Sequence, residues 1–375
     1  DVGRRRTGRP DDRRLRHAHA CGPDRRGKAR RRAPHRGAGP AGLGAGVLGG
    51  RPLALIVRDN RSVPARGVAN LRELASIRDL VAVFCGKFST VAIEEVPVIH
   101  REKLIMLDPW AAADQIVDNG QNPNFVFRLS LRDGWAMTAI LQELERRRLS
   151  RVGVMVPNTA WGRSSVKAAE DWLATHGEVS VVSVQWYNWG EMSLLGRYLE
   201  ARHAGAEAIV LVANEGEAAV LVKEIAAIPS EQRMPILSHW GVTGGDFPAI
   251  VGRALDDVDF SVVQTVTLVG RTDERTHSVI ERAKRLFALG GIGDIKSQVG
   301  FAHAYDLTHL LALAVDRAGS TDRSAVRDAL EHLSPYQGLI KNYLLPFSPE
   351  NHEALTPDLL FIGRFVADGI APIGP

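Results

Sequence analysis

From residue 51 onward, short apolar runs alternate with segments of helical period. Strand-like runs occupy 53–57, 80–84, 104–107, 152–156, 180–184, 208–212, 235–238 and 259–263. Amphipathic segments lie between them. In one, Ala218, Leu221, Val222 and Ile225 recur at 3.6-residue spacing, and Asn214 with Glu217 three places on reads as a capping box. A helix is expected at about 132–148, two long ones at about 272–289 and 297–318, and strands again at 339–345 and 359–366. Near-continuous apolar strands separated by helices imply parallel sheets covered on both faces. The pattern falls into two such runs, about 51–127 and 150–263, and the late helical pair implies that the chain crosses back to the first. The fold class is therefore α/β: two doubly wound, Rossmann-like lobes joined by a multi-crossover hinge, with a cleft between them.

Composition changes this picture only before Gly49-Gly50. Residues 1–43 hold 13 Arg and one Lys, with no Ile, Phe, Tyr, Trp, Met, Glu, Ser, Asn or Gln. Residues 1–50 carry 14 basic against 4 acidic side chains, whereas 51–375 carry 33 against 39. The formal charge of +4 thus belongs to the leading tract. The remainder is mildly acidic and is not expected to attract nucleic acid. The Arg/Gly/Pro-rich tract has three readings: a disordered basic arm, a targeting peptide, or an out-of-frame reading of a GC-rich gene, since Arg, Gly, Pro and Ala codons begin with two G/C bases. It has no apolar core of a signal peptide, so targeting fits worst, and the out-of-frame reading fits best.

The roughly 325 remaining residues suit two domains. No apolar run reaches the ~18 residues of a membrane helix. Two Cys, at 21 and 85, exclude a disulfide framework, and Cys85 reads as a small buried residue. Gly44-Ala45-Gly46-Val47-Leu48-Gly49 formally fits the dinucleotide fingerprint, but a strand follows it and none precedes it, so it reads as a turn and no cofactor is expected. No GxSxG, HExxH or paired Cys/His metal spacing occurs. His303, Asp306 and His309 share a helix, but His309 lies far round it from the other two, which points to structural hydrogen bonding rather than a metal. Neither catalytic nor metal-ligating residues are assigned.

The order and spacing of several short motifs resemble the type I periplasmic solute-binding proteins of the branched-chain amino-acid (Leu/Ile/Val) class, which serve ABC transporters. They are Gly46-Val47-Leu48-Gly49-Gly50-Arg51-Pro52-Leu53, Gly86-Lys87-Phe88-Ser89-Thr90, Leu107-Asp108-Pro109-Trp110-Ala111-Ala112-Ala113 and Phe127-Arg128. Further on stand Asn158-Thr159-Ala160-Trp161-Gly162, Phe301-Ala302-His303-Ala304-Tyr305-Asp306 and Pro346-Phe347-Ser348-Pro349-Glu350-Asn351-His352. The resemblance runs from about Gly46 to the C-terminus. It implies lobe 1 from 45–128 plus 264–332, lobe 2 from 129–263 plus 333–375, and a separate segment 1–44. It also implies that the first strand and helix of lobe 1 are missing, their place being taken by the Arg-rich tract. The compartment it implies is the periplasm, and the partner an ABC permease.

Candidate ligand residues lie after strand ends, where open α/β sheets place their crevice. Ser89 and Thr90 begin a helix; they either cap it or hold a ligand carboxylate with the helix N–H groups. Trp110, Ala111 and Ala112 follow the next strand, with Trp110 as an apolar wall and Ala112 where the family carries a hydroxyl. In the second lobe, Trp161 matches an aromatic that closes over the ligand, and Asn214 and Glu215 follow the strand 208–212. Trp240 stands where amino-acid-binding relatives carry a Glu for the ligand's ammonium group. Three tryptophans converging on one cleft suit a planar or aromatic ligand, or a cation held on ring faces. The expected function is non-catalytic capture of an amino acid, amide or aromatic solute for a transporter. A ligand sensor on the same fold is the alternative, with an enzyme more remote. Adjacent permease genes would favour transport, and an adjacent regulator gene sensing.

Overall fold

The computed structural model describes residues 46–374, so the segment 1–44 lies outside the described residues. Residues 46–51 form the expected turn: Val47 N–H donates to Arg51 O at 2.9 Å, and Arg51 N–H back to Val47 O at 2.8 Å. The run 53–57 is a correction. It forms no strand, only one isolated bridge position at 55, and Leu55, Ile56 and Val57 stay 65, 39 and 70 % exposed. An apolar run becomes a buried strand only where neighbours cover it, and here the described sheet ends one strand later. That sheet follows α1 (Pro64–Ala75), which starts on a proline that needs no N–H partner there. The strands β1 (Ala82–Phe84), β2 (Ile105–Asp108) and β3 (Val126–Arg128) pair in parallel in that order, with α2 (Ser89–Arg101) crossing over between the first two.

Helices α1 and α2 pack so closely that a Cβ added to Gly67 would come within 2.4 Å of Glu95 Oε1. Burial raises the Glu95 carboxyl to about 7. The folded state therefore prefers the protonated acid: its contribution is full below about 4.5 and is lost as pH rises through 7. Glu95→Gln is expected to stabilise the protein at pH 8 by on the order of 2–3 kcal/mol and to have little effect at pH 4.5. Urea titrations of both proteins at the two pH values check this; an equal effect at both refutes it.

The larger sheet opens with α3 (Asp133–Arg146), β4 (Arg151–Pro157), α4 (Ala160–Leu173) and β5 (Ser180–Tyr187). It continues through α5 (Leu195–His203), β6 (Ala208–Leu211), α6 (Glu215–Ala226), β7 (Ile236–Ser238), α7 (Phe247–Val251) and β8 (Phe260–Gln264). These strands run parallel in the order β8-β7-β6-β4-β5, and β4, β6, β7 and β8 are almost wholly buried, as their unbroken apolar runs require. The capping box at 214–217 is also corrected. Asn214 stands at the N-cap of α6 without a side-chain cap bond, and Glu217 instead accepts from Gly190 N–H at 3.3 Å.

The chain then returns through α8 (Glu274–Phe287), capped by Asp273 accepting from Thr276 N–H at 2.9 Å, and α9 (Gln298–Ala318). Helix α9 belongs to both cores: Val299 and Ala302 pack with the larger sheet, Leu307, Leu310 and Val315 with the smaller. After α10 (Arg323–Leu330), the expected strand 339–345 shrinks to a two-residue pairing of β9 (Tyr336–Gln337) with β10 (Asn342–Tyr343). The reason is Asp306 on α9, whose carboxylate takes Leu339 N–H at 2.7 Å, Ile340 N–H at 3.0 Å and the Tyr343 hydroxyl at 2.8 Å. Backbone held by a side chain has no donor left for a ladder. Strand β11 (Phe361–Val366) finally adds antiparallel to β8, and β12 (Gly369–Pro372) antiparallel to β11 at the sheet edge.

Candidate functional site

The two sheets point the carboxyl ends of their parallel strands at one another, and the loops there meet. The loop after β2 is shaped by Asp108, whose Oδ1 accepts from Trp110 N–H at 2.9 Å and Ala111 N–H at 2.7 Å. The Cys85 thiol donates to the same oxygen at 3.0 Å. Burial, reinforced by Asp108, pushes that thiol well above its usual range, so Cys85 is the inert small residue expected. Ser89 Oγ accepts from Ala112 and Ala113 N–H, both at 3.2 Å. Ser89 is thus not a helix cap: its oxygen holds the neighbouring loop, and its O–H remains as a donor. On the carbonyl side, Arg128 donates to Ala111 O at 3.3 Å and Ala113 O at 2.9 Å.

Opposite stands Trp161 at the start of α4. A Cβ at Gly162 would meet Pro157 O at 2.0 Å, and one at Gly241 would meet Ala213 O at 2.4 Å and the Trp161 ring at 2.5 Å. Only glycine permits both approaches. The Trp161 indole N–H donates to Asp133 Oδ1 at 3.1 Å, and its ring lies edge-on to the buried His239, whose Nε2 is 3.0 Å from the same oxygen. Trp240, on the turn after β7, stacks on Trp110 from the facing loop, with centroids 5.0 Å apart and planes at 17°. Phe88 meets Trp189 tilted at 53°, with centroids 5.0 Å apart. Lys87 Nζ reaches Glu215 Oε2 at 2.6 Å, so an ion pair spans the two loop sets.

These contacts enclose a cavity of only about 10 Å³, room for about one water molecule. Ser89, Thr90, Trp110, Ala112, Trp161, Asn214 and Trp240 line it, together with Lys87, Phe88 and Trp189. Ala111 and Glu215 do not: the first is spent on Asp108 and Arg128, the second on Lys87. Two buried polar atoms in the lining have no partner, Thr90 Oγ1 and Trp189 Nε1. Lys87 and Phe88 sit beside Ser89 in sequence, and that adjacency is the signal that marks them. Trp189 was not, because β5 runs to Tyr187, three residues beyond the expected strand end, and hides the loop that carries it. Among the described residues, no group of three or more His, Cys, Asp and Glu is placed to hold a metal ion, and no helix is long and apolar enough to cross a membrane.

Two α/β units with a polar-and-aromatic cleft at facing strand ends define a solute-binding architecture. Residues 40–369 match the periplasmic binding protein family, and the chain belongs to it. That family consists of non-catalytic solute-binding proteins. No curated protein matches the chain. Among solved structures, a periplasmic binding protein type 1 from Bordetella pertussis Tohama I superposes with a TM-score of 0.77 at 20 % identity, covering 88 % of this chain and 91 % of that one. An R. palustris ABC transporter solute-binding protein in complex with benzoate gives 0.74 at 16 %, covering 89 and 88 %. The Streptococcus pneumoniae branched-chain amino acid binding protein LivJ in complex with isoleucine gives 0.72 at 14 %, covering 88 % of each.

Proposed function

We propose that the cleft captures a small planar aromatic carboxylate and delivers it, outside the cytoplasmic membrane, to an ABC permease. The observation that carries this is the lining itself: five aromatic rings around two unpartnered buried hydrogen-bonding atoms. Thr90 Oγ1 and the Trp189 N–H are suited to a carboxylate, and Lys87, with three ammonium donors and one spent on Glu215, keeps hydrogen-bond donors at the rim. Glu215 is committed to Lys87, and Trp240 offers no charge for an ammonium group, so an α-amino acid is served less well. Relatives that bind benzoate and isoleucine bracket the choice.

A benzoate-sized molecule does not fit 10 Å³, so binding requires the Trp110–Trp240 stack to part and the loop sets to close again on the ligand. Contacts from both sides favour the closed form only by their difference from the open form. Calorimetric titration with benzoate and with leucine tests the reading. Benzoate is expected to bind at least tenfold more tightly, and Thr90→Val to weaken it by about tenfold or more, the scale of a hydrogen bond to a charged group. Tighter leucine binding, or an unaffected Thr90→Val, overturns it.

A further inference from the structure

A second cavity, of about 330 Å³, lies behind the turn that carries Trp240. Its volume is within the range of about 300–1,000 Å³ of small-molecule sites, and is far larger than the space between Trp110 and Trp240. Val266 beyond β8, Val299 at the start of α9, and Phe365 and Ile370 from the β11–β12 hairpin give it an apolar side, while Thr267 and Gln298 are among its polar lining residues. Two buried polar side chains line this surface, Thr243 on the turn after β7 and Gln264 at the end of β8. Gln264 Nε2 reaches Thr243 Oγ1 only at 3.5 Å, the outer limit of a hydrogen bond, while the Thr243 hydroxyl is spent on Trp240 O at 2.7 Å. At the mouth, Asp246 and Lys296 neutralise each other at 2.9 Å.

We infer that this cavity is a second small-molecule site, taking a compact uncharged molecule with an apolar ring and a single amide or hydroxyl group. The ring replaces water against the apolar residues Val266, Val299, Phe365 and Ile370, and its polar group adds a shorter partner to the one long hydrogen bond that the Gln264 carboxamide makes with Thr243. A charged ligand is disfavoured because the mouth pair leaves no uncompensated charge. The site is distinct from the aromatic cleft: Thr243 lines this cavity and Trp240 the other, from the same short turn.

Benzamide is the probe. Ligand-observed NMR and calorimetry on the full chain are expected to show binding that persists in Thr90→Val. It should weaken at least tenfold in Gln264→Leu and in Ala249→Trp, the second of which blocks the mouth from an exposed position and so leaves the core intact. Absence of benzamide binding to the wild type overturns the inference. So does binding that is lost in Thr90→Val, or that is unchanged in Ala249→Trp.

Discussion

Glu353→Ala is expected to destabilise the protein by about 3–5 kcal/mol, read as a shift in urea midpoint at unchanged slope. Arg128 is fully buried at the end of β3, and its guanidinium grips both oxygens of Glu353, with Nε to Oε2 at 2.9 Å. The two backbones pair as well: Arg128 N–H donates to His352 O at 2.8 Å and Ala354 N–H to Arg128 O at 2.9 Å. Removing the carboxylate leaves a buried cation without its counterion, which costs far more than the pair contributes. A double variant, Arg128→Met with Glu353→Leu, is expected to recover most of the stability. It should not recover ligand affinity, because Arg128 also holds the carbonyls of Ala111 and Ala113 beside the cleft. A loss below about 1 kcal/mol in the single variant would show the charge to be solvated after all.

His303 supplies the second large effect. The ring is buried, with Nδ1 donating to Pro109 O at 3.0 Å and Nε2 accepting from the Thr265 hydroxyl at 2.9 Å. Trp240 lies tilted against it at 5.3 Å. Burial pulls the imidazole from its ordinary 6.5 down to about 4. The folded state thus favours the neutral ring, so its contribution is full above 6.5 and is lost as pH falls through 4. At about 1.4 kcal/mol per pH unit, the loss amounts to about 3 kcal/mol. Glu95 works in the opposite direction over nearly the same window, and His309, which burial also lowers to about 4, in the same direction, so the wild-type curve alone does not isolate His303. The difference between wild type and His303→Gln isolates this histidine, since Glu95 and His309 are common to the two. Wild type should lose about 3 kcal/mol relative to His303→Gln between pH 7 and 4; parallel curves would refute the assignment. Because His303 touches both Trp240 and the carbonyl before Trp110, benzoate affinity should fall over the same range.

Much of the architecture was legible along the chain, for a physical reason that differs between the two sheets. In the larger sheet, strands covered on both faces must be apolar throughout, and runs such as 152–156 and 208–212 declare themselves. The run 53–57 is equally apolar yet stays exposed, because burial depends on a neighbouring strand and not on the run itself. Trp110, Trp161 and Trp240 were legible as cleft residues because each follows a strand's carboxyl end. The hold of the Ser89 oxygen on a loop 23 residues away was not.

Sequence alone therefore determined the α/β class, the crossing back of the late helices and the aromatic character of the cleft, all of which follow from local periodicity and residue type. Tertiary structure decided the rest. Lys87 meets Glu215 across 128 residues, and Arg128 meets Glu353 across 225. Neither pairing leaves a periodic trace, since any of many carboxylates in the chain satisfies the same local chemistry. The second cavity is likewise a property of how β8, α9 and the final hairpin pack. Backbone topology selects such partners in space, and it is these selections that hold the cleft loops in place and set which atoms in them remain to bind a ligand.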